Sequence, residues 1–409
     1  MKKIRLAPII LTQRLKLKRL DRTLKTPTSK RVRPGMKRLN VRLLSSIAGA
    51  VLISRLLVPG IADAAAWSVV SSPNVGTQSE LHAVASISAN DVWAVGQGSN
   101  ATSFQTLTEH WNGTAWSVVP SPNPASNDVL SGVAAVSTND VWAVGKVNTS
   151  SPPVIEHWNG SLWTTVKPPR QAGFLQAVTA VSANDVWAVG ESVGASGAFQ
   201  TLVEHWNGHK WSVVSSPNFG TQTNELNGVT SASANDIWAV GFAVNSSFGS
   251  TQTLTLHWNG TSWSIVSSPN PTINDDLRAV AAVSGTNVWA AGQAINGSSV
   301  QTLIEQWNGT SWSSVSSPAA GLLDGIAIVS ATNIWAVGSF VDPNTGTTST
   351  VIEQWNGTNW SVVSSPNPST SENVLDGAAA DSVSGQAWAV GEFFNTTASS
   401  RQTLAEFNP

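Results

Sequence analysis

The sequence contains no cysteine and no tyrosine, and only 11% of its 409 residues are charged. Without cysteine there is no disulfide, no thiolate metal site and no thiol to carry a lipid. Folding must then rest on a buried core alone, for which 41% hydrophobic residues suffice. Helical periodicity is absent from residue 65 onward, which points to an all-β fold. Basic residues are scarce in the same region. Residues 1–64 hold 16 of the 22 lysines and arginines, and from residue 65 on 6 basic residues face 22 acidic ones, a net charge of −16. The near-neutral total of −2 conceals this division. So acidic a body lacks the basic face that nucleic acid or an anionic membrane requires, and neither is expected as a partner.

The basic segment reads as a leader. It runs into an apolar stretch from Leu43 to Ser54, and Ala62-Asp63-Ala64 fits the small-x-small rule for signal cleavage. The expected organisation is a basic leader and signal peptide over 1–64, cut after Ala64, and a secreted domain over 65–409. Arg55 interrupts the apolar stretch, which argues against a clean span of about 20 residues. An uncleaved anchor is the alternative. Met36-Lys37-Arg38 would open a leader of more ordinary length, so Met36 is a second candidate initiator.

The domain is a repeat. A Trp-Ala-(Val/Ala)-Gly core begins at Trp93, Trp142, Trp187, Trp238, Trp289, Trp335 and Trp388, with a mean spacing of about 49 residues. Trp-Asn-Gly begins at Trp111, Trp158, Trp206, Trp258, Trp307 and Trp355. A third tryptophan follows each of these by five residues, from Trp116 to Trp360, and a solitary copy of that element, Trp67-Ser68-Val69-Val70, precedes the first full unit. All 20 tryptophans are therefore repeat positions.

Each unit holds four runs of strand character, in the first case 81–88, 92–96, 106–111 and 115–119. Asn90-Asp91, Asn112-Gly113 and Ser121-Pro122-Asn123 separate them with turn chemistry, and Asn-Gly suggests a type I′ hairpin. Seven units of four strands predict a seven-bladed β-propeller. The last unit ends after a third run, Thr403 to Phe407. Its missing fourth strand is the solitary one at Trp67 to Val70, so the two ends are expected to pair and close the ring. Closure removes the open edge that an unfinished blade would present, at a loop-closure cost of about 5 kcal/mol.

The segment from Val92 to Pro122 resembles a kelch repeat: a hydrophobic strand ending in Gly, a variable loop, an aromatic before a turn, then Trp opening the last strand. It has one Gly where kelch repeats usually have two. It is more similar to uncharacterised secreted bacterial repeat proteins carrying the same Asn-Asp-Val-Trp-Ala-Val-Gly and Glu-His-Trp-Asn-Gly-Thr-Ala-Trp-Ser strings. The resemblance covers residues 67–409 and implies a fold without a defined activity.

Few residues stand out as chemistry. A fully buried tryptophan removes roughly 150–250 Å² from water, worth about 4–6 kcal/mol, so tryptophans recurring in every blade are expected to pack blades together rather than stack on sugars. Glu109-His110, Glu156-His157 and Glu204-His205 look like acid/base pairs, yet neighbours on a strand face opposite ways, and a group repeated round the ring belongs to the scaffold. Asn112, Asn159, Asn259, Asn308 and Asn356 match glycosylation sequons, but turn formation explains them. Asp91, Asp140, Asp185 and Asp236 fit neither a sialidase Asp-box nor an EF-hand loop. A sialidase-like tyrosine nucleophile and a tyrosine–cysteine copper site are excluded by composition. A carboxylate-pair hydrolase is not.

Departures from the repeat are more informative. The residue after the leucine that opens each inner strand is His82, Ser131, Gln176, Asn227, Arg278, Asp324 and Asp376 in turn, and the next residue is always Ala or Gly. In a closed ring His82, Arg278, Asp324 and Asp376 occupy four consecutive blades. They are the candidate ligand-binding residues, expected as a charged arc at the mouth of the central channel. No metal or cofactor is expected, although His82, Asp324 and Asp376 could in principle hold a divalent cation. The long loops of the same face, expected at Asn274-Asp275-Asp276, 341–350 and 393–401, would supply further contacts. The function expected is a secreted, monomeric binding or interaction module for carbohydrate or protein at the cell surface. The alternatives are a polysaccharide-acting hydrolase or lyase using loop carboxylates, and a structural surface protein.

Overall fold

The computed structural model describes residues 66–409 except 101–102, 148–149 and 245–248; the leader, the cleavage site after Ala64 and the start at Met36 lie outside the described residues. The described chain is all β, with seven four-stranded antiparallel sheets. Blades 1 to 6 span 78–118, 129–165, 173–213, 224–266, 274–315 and 322–363, each a meander whose first strand is innermost. Blade 7 takes three strands from the C-terminal end, Asn373–Ala380, Ala387–Asn395 and Ser400–Asn408, and its outer strand, Ser68–Val69, from the other. Neighbouring inner strands touch all the way round, blade 7 against blade 1 included.

The closure uses the parts that every blade uses. Ser68 pairs with Phe407 and Val69 with Glu406, and Val70 N donates to Ala405 O at 2.8 Å. The Ser-Pro-Asn link then clips the strand. In blade 3 Thr201 N donates to Asn218 Oδ1 at 2.8 Å, and in blade 4 Thr253 N donates to Asn270 Oδ1 at 2.8 Å. In blade 7 Thr403 N donates to Asn74 Oδ1 at 2.9 Å, and its hydroxyl donates to Pro73 O at 3.0 Å. A segment that reads as a strand breaker is thus a specific lock. Blade 2 lacks both halves of it, with Pro153 for the threonine and Arg170 for the asparagine.

Tryptophan packing joins the blades. The Trp-Ala-Val-Gly tryptophans are 0–3% exposed and those opening the outer strands 3–6%. Trp93 lies 4.9 Å from Trp158 and edge-on to Trp163 at 5.3 Å, both in the next blade. Trp388 repeats this across the seam with Trp111 at 5.0 Å and Trp116 at 5.1 Å. The Trp-Asn-Gly tryptophans are half-buried, and the indole N–H groups of Trp111, Trp158, Trp206 and Trp307 donate to the preceding turn, Trp111 to Ala89 O at 3.2 Å.

Four local expectations need correction. Asn112-Gly113 is not a two-residue I′ turn. Only the glycine has positive φ, 91°, and the loop is four residues long because Asn112 Oδ1 accepts the N–H groups of Thr114 and Ala115, both at 3.0 Å. Asn274-Asp275-Asp276 is not a loop but the start of the inner strand Asn274–Ser284, where Asn274 pairs with Ile295 and buried Asp275 accepts from Thr272 N at 2.9 Å. The 341–350 loop shortens to 342–347 and the 393–401 loop to 396–399 because strand pairing continues into both.

Trp67 is 4% exposed, shares a core cluster with Leu404 and meets Trp335 edge-on at 5.2 Å. Trp67→Ala should therefore lower unfolding free energy by about 3–5 kcal/mol in urea melts. A loss below about 1 kcal/mol would show that the seam does not hold the ring.

Candidate functional site

The inner strands are interrupted where the sequence varies. In blade 1 Leu81 pairs with Gly96 and Ala83 with Val95, leaving His82 unpaired in a β-bulge, and the same shift occurs in all seven blades. A bulged residue escapes the in–out alternation of its strand. The glycine opposite is a steric requirement, since a Cβ on Gly96 would sit 2.0 Å from Glu80 O. The small residue after the bulge is where inner strands meet: a Cβ on Gly132 would lie 2.9 Å from Ala177 Cα.

All seven bulged residues line one central cavity of about 500 Å³, together with Lys146 and Glu392 from second strands. His82, Arg278, Asp324 and Asp376 are thus brought to a common wall, and ring closure makes their blades consecutive. Their roles differ. His82 Nδ1 donates to Leu130 O of the next blade at 3.1 Å, and Nε2 stands 3.6 Å from Glu80. Arg278 holds Asp276 through Nε at 3.1 Å and a second nitrogen at 3.3 Å, and Gln293 adds a third donor to Asp276 at 3.0 Å. Asp324 and Asp376 are half-buried and have no ion-pair partner among the described residues. Among the described residues no three His, Asp or Glu side chains converge on a point that could hold a metal ion, so His82, Asp324 and Asp376 do not form a cage.

The sequence reading missed a second ring of charge. It comes from residues before the leucine (Glu80, Glu225, Asp276) and after the second-strand glycine (Lys146, Glu191, Glu392). The signal was the same blade-to-blade variation that marked the bulge. Arg401 ties Glu80 of blade 1 to Glu372 of blade 7, at 3.0 and 2.7 Å. Burial pushes Glu80 up, but hydrogen bonds from His82, Arg401 and Gln97 outweigh it and hold the carboxyl at about 2. Burial dominates elsewhere. It lifts Asp324 to about 7 against the pull of Arg278, and Glu191 to about 7 with Glu225 adding repulsion. Asp376 is raised well above the carboxylate range by burial and by the neighbouring Glu392.

The glutamate–histidine pairs divide as strand geometry requires. His110 Nε2 meets Asp91 Oδ1 at 2.8 Å and its ring lies 4.5 Å from Trp93. His157–Asp140, His205–Asp185 and His257–Asp236 repeat the pair at 2.8–2.9 Å. Blades 5 and 6 replace both partners together, Gln306 with Asn287 and Gln354 with Asn333, each at 3.0 Å. Glu109, Glu156, Glu204 and Glu305 point the other way, 0% exposed; among the described residues neither carboxyl oxygen of the first three has a donor, and Glu305 has only Ser268 at hand. Burial raises each to about 8. Blade 4 has Leu256 at this position, 0% exposed, so the site is an apolar one. Both sets are interior fittings of the scaffold and far from suited to acid/base work on a substrate.

No family model and no curated protein matches the chain. Solved structures do, at low identity. A YCF48 structure bound to a D1 peptide is 14% identical, covering 85% of this chain and 96% of that one, with a TM-score of 0.51. Chaetomium thermophilum Sqt1 bound to the N-terminus of ribosomal protein L10 is 10% identical, covering 78% and 84%, with a TM-score of 0.50. The extracellular domain of a one-component system from B. thetaiotaomicron is 9% identical, covering 84% of this chain and 40% of that one, with a TM-score of 0.53. The likeness is one of fold.

Protonation of the interior glutamates gives stability a definite pH dependence. With the folded value near 8 and the unfolded value at 4.5, the folded state holds the extra proton between the two. Each group's contribution is complete below about 4.5 and is lost towards pH 8, at about 1.4 kcal/mol per pH unit. Glu80 acts oppositely, its contribution falling away below about 4.5. Melting temperature should peak near pH 5 and fall through pH 8, and Glu204→Gln should flatten that fall. An unchanged slope would mean that Glu204 is ionised in the fold.

Proposed function

We propose that the propeller is a secreted binding module that receives an extended segment of a protein partner at the mouth of its central channel. One observation carries this reading. The positions that hold the ring together hardly vary between blades, while the positions that vary converge on a single cavity at a single face. A catalytic centre needs particular groups in one place, but a recognition surface needs a rigid frame with different side chains presented around it. Partners named for propellers of the same architecture support the protein class over carbohydrate: a D1 peptide for YCF48 and the N-terminus of L10 for Sqt1. The extracellular neighbour agrees with the leader over 1–64 and cleavage after Ala64, which we retain as part of the proposal. A kelch-like ancestry for the blades fits the same architecture.

The tryptophans do not favour a glycan reading, because the fully buried sets leave no ring face for a sugar. The acidic groups lie recessed in the channel, which does not favour hydrolysis of a long polysaccharide.

Two parallel screens of the purified chain test this, a displayed peptide library and a glycan array. Peptides should be enriched, and their binding should be lost in Ser131→Trp, which fills the channel, but kept in Thr310→Trp, on an exposed turn of the opposite face. Binding to glycans alone, release of reducing sugar, or equal binding by the filled variant would overturn the reading.

A further inference from the structure

The charges at the channel mouth do not balance. Arg401 occupies Glu80 and Arg278 occupies Asp276. Asp324, Asp376 and Glu392, on adjoining blades 6 and 7, have no basic group within 4.0 Å among the described residues. Arg278 acts on Asp324 only at longer range and is already committed to Asp276. Glu392 is 8% exposed, lies on the cavity wall, and its Oε2 has no hydrogen-bond partner. A buried carboxyl oxygen without a donor is costly, and burial together with the adjacent Glu392 carboxyl, with which it shares a hydrogen bond, pushes Asp376 well up. A donor of positive charge arriving from outside would relieve both.

An apolar crevice leaves the same face between blades 5 and 6. It holds about 340 Å³ and is lined by Val300, Leu322, Phe340, Val341 and Pro343, with Gln293 at its inner end. Gln293 is the residue that also donates to Asp276 in the charged ring, and Leu322 stands two residues before Asp324, so crevice and channel adjoin. The link between these two blades, residues 316–321, is the shortest of the seven, and Val341 is 56% exposed.

We propose that the channel mouth accepts a lysine or arginine side chain of the partner segment, seated against Asp324, Asp376 and Glu392, while a neighbouring apolar side chain of that segment occupies the crevice between blades 5 and 6. This rests on the peptide-binding reading above. Charge complementarity selects the occupant: the unpaired groups on these two blades are all carboxyls, and residues 65–409 carry a net −16, which steers a basic partner inwards. An acidic segment would add charge to a wall that already shares too many carboxyls. A proton held by either carboxyl leaves to solvent as the cation enters, so no further reactant is needed.

The test uses the full chain and a displayed library of random 12-residue peptides. Enriched sequences should carry Lys or Arg at one fixed position with a large apolar residue close by. An enriched peptide is then titrated with its basic residue intact or replaced by citrulline, which keeps the shape of arginine and removes its charge. Citrulline should weaken binding at least tenfold. Asp324→Asn/Asp376→Asn should weaken the intact peptide as much and abolish the difference between the two peptides. Asp236→Asn/Asp381→Asn removes two carboxylates from the opposite face and should change binding less than twofold. Enriched peptides without a basic residue, or equal binding of the citrulline peptide, overturn this inference and leave the peptide-binding reading standing. Equal weakening by both double variants means bulk attraction and also overturns it. Failure to enrich any peptide removes the underlying reading itself. Should the first double variant melt early, Asp324→Asn alone carries the comparison.

Discussion

The ring depends on one contact made seven times: an indole of the second strand wedged against one or two tryptophans of the next blade. Trp93 under Trp158 and Trp163, and Trp388 under Trp111 and Trp116, are instances of it. Each such ring is almost wholly removed from water, so each joint contributes several kcal/mol before any hydrogen bond is considered. That explains how a domain without disulfides, and with interior carboxyls such as Glu109 and Glu204 to accommodate, can remain closed. The joints are strong enough to tolerate buried groups that must be kept neutral.

The same contact fixes which parts of the blade are free to change. The outer and middle strands carry the tryptophans, the His–Asp or Gln–Asn pairs and the threonine clips, and their residues answer to one another. The inner strand carries the bulge. There the backbone leaves one residue out of the ladder and turns it to the axis, with a glycine across from it and an alanine or glycine after it to admit the neighbouring strand. The most variable positions therefore sit mainly on the inner strands, with Lys146 and Glu392 of second strands beside them on the cavity wall.

Much of this was readable from the residues. Tryptophan spacing gives the blade count, and the stray Trp67-Ser68-Val69-Val70 identifies the seam. The variation at His82, Arg278, Asp324 and Asp376 marks the channel, because a position that differs in every copy of an otherwise strict repeat is not needed for the repeat. What stayed hidden depends on three-dimensional register. Asn274-Asp275-Asp276 reads as a turn by composition, and only pairing with Ile295 and Ala294 makes it strand. Glu392 and Lys146 follow the conspicuous Trp-Ala-Val-Gly core, yet their place on the cavity wall needs the bulge opposite to be known. The His–Asp pairing could have been found, since histidine and aspartate exchange for glutamine and asparagine in the same two blades.

The bulge has a consequence for how such a protein changes over time. A residue that takes no part in the ladder can be exchanged without breaking a ladder hydrogen bond, and there is one in each blade. Seven codons, with the few whose side chains adjoin them, spell out most of what the axis presents. Paralogues built on this plan could diverge in what they recognise by rewriting that short word alone, long before their frames drifted apart.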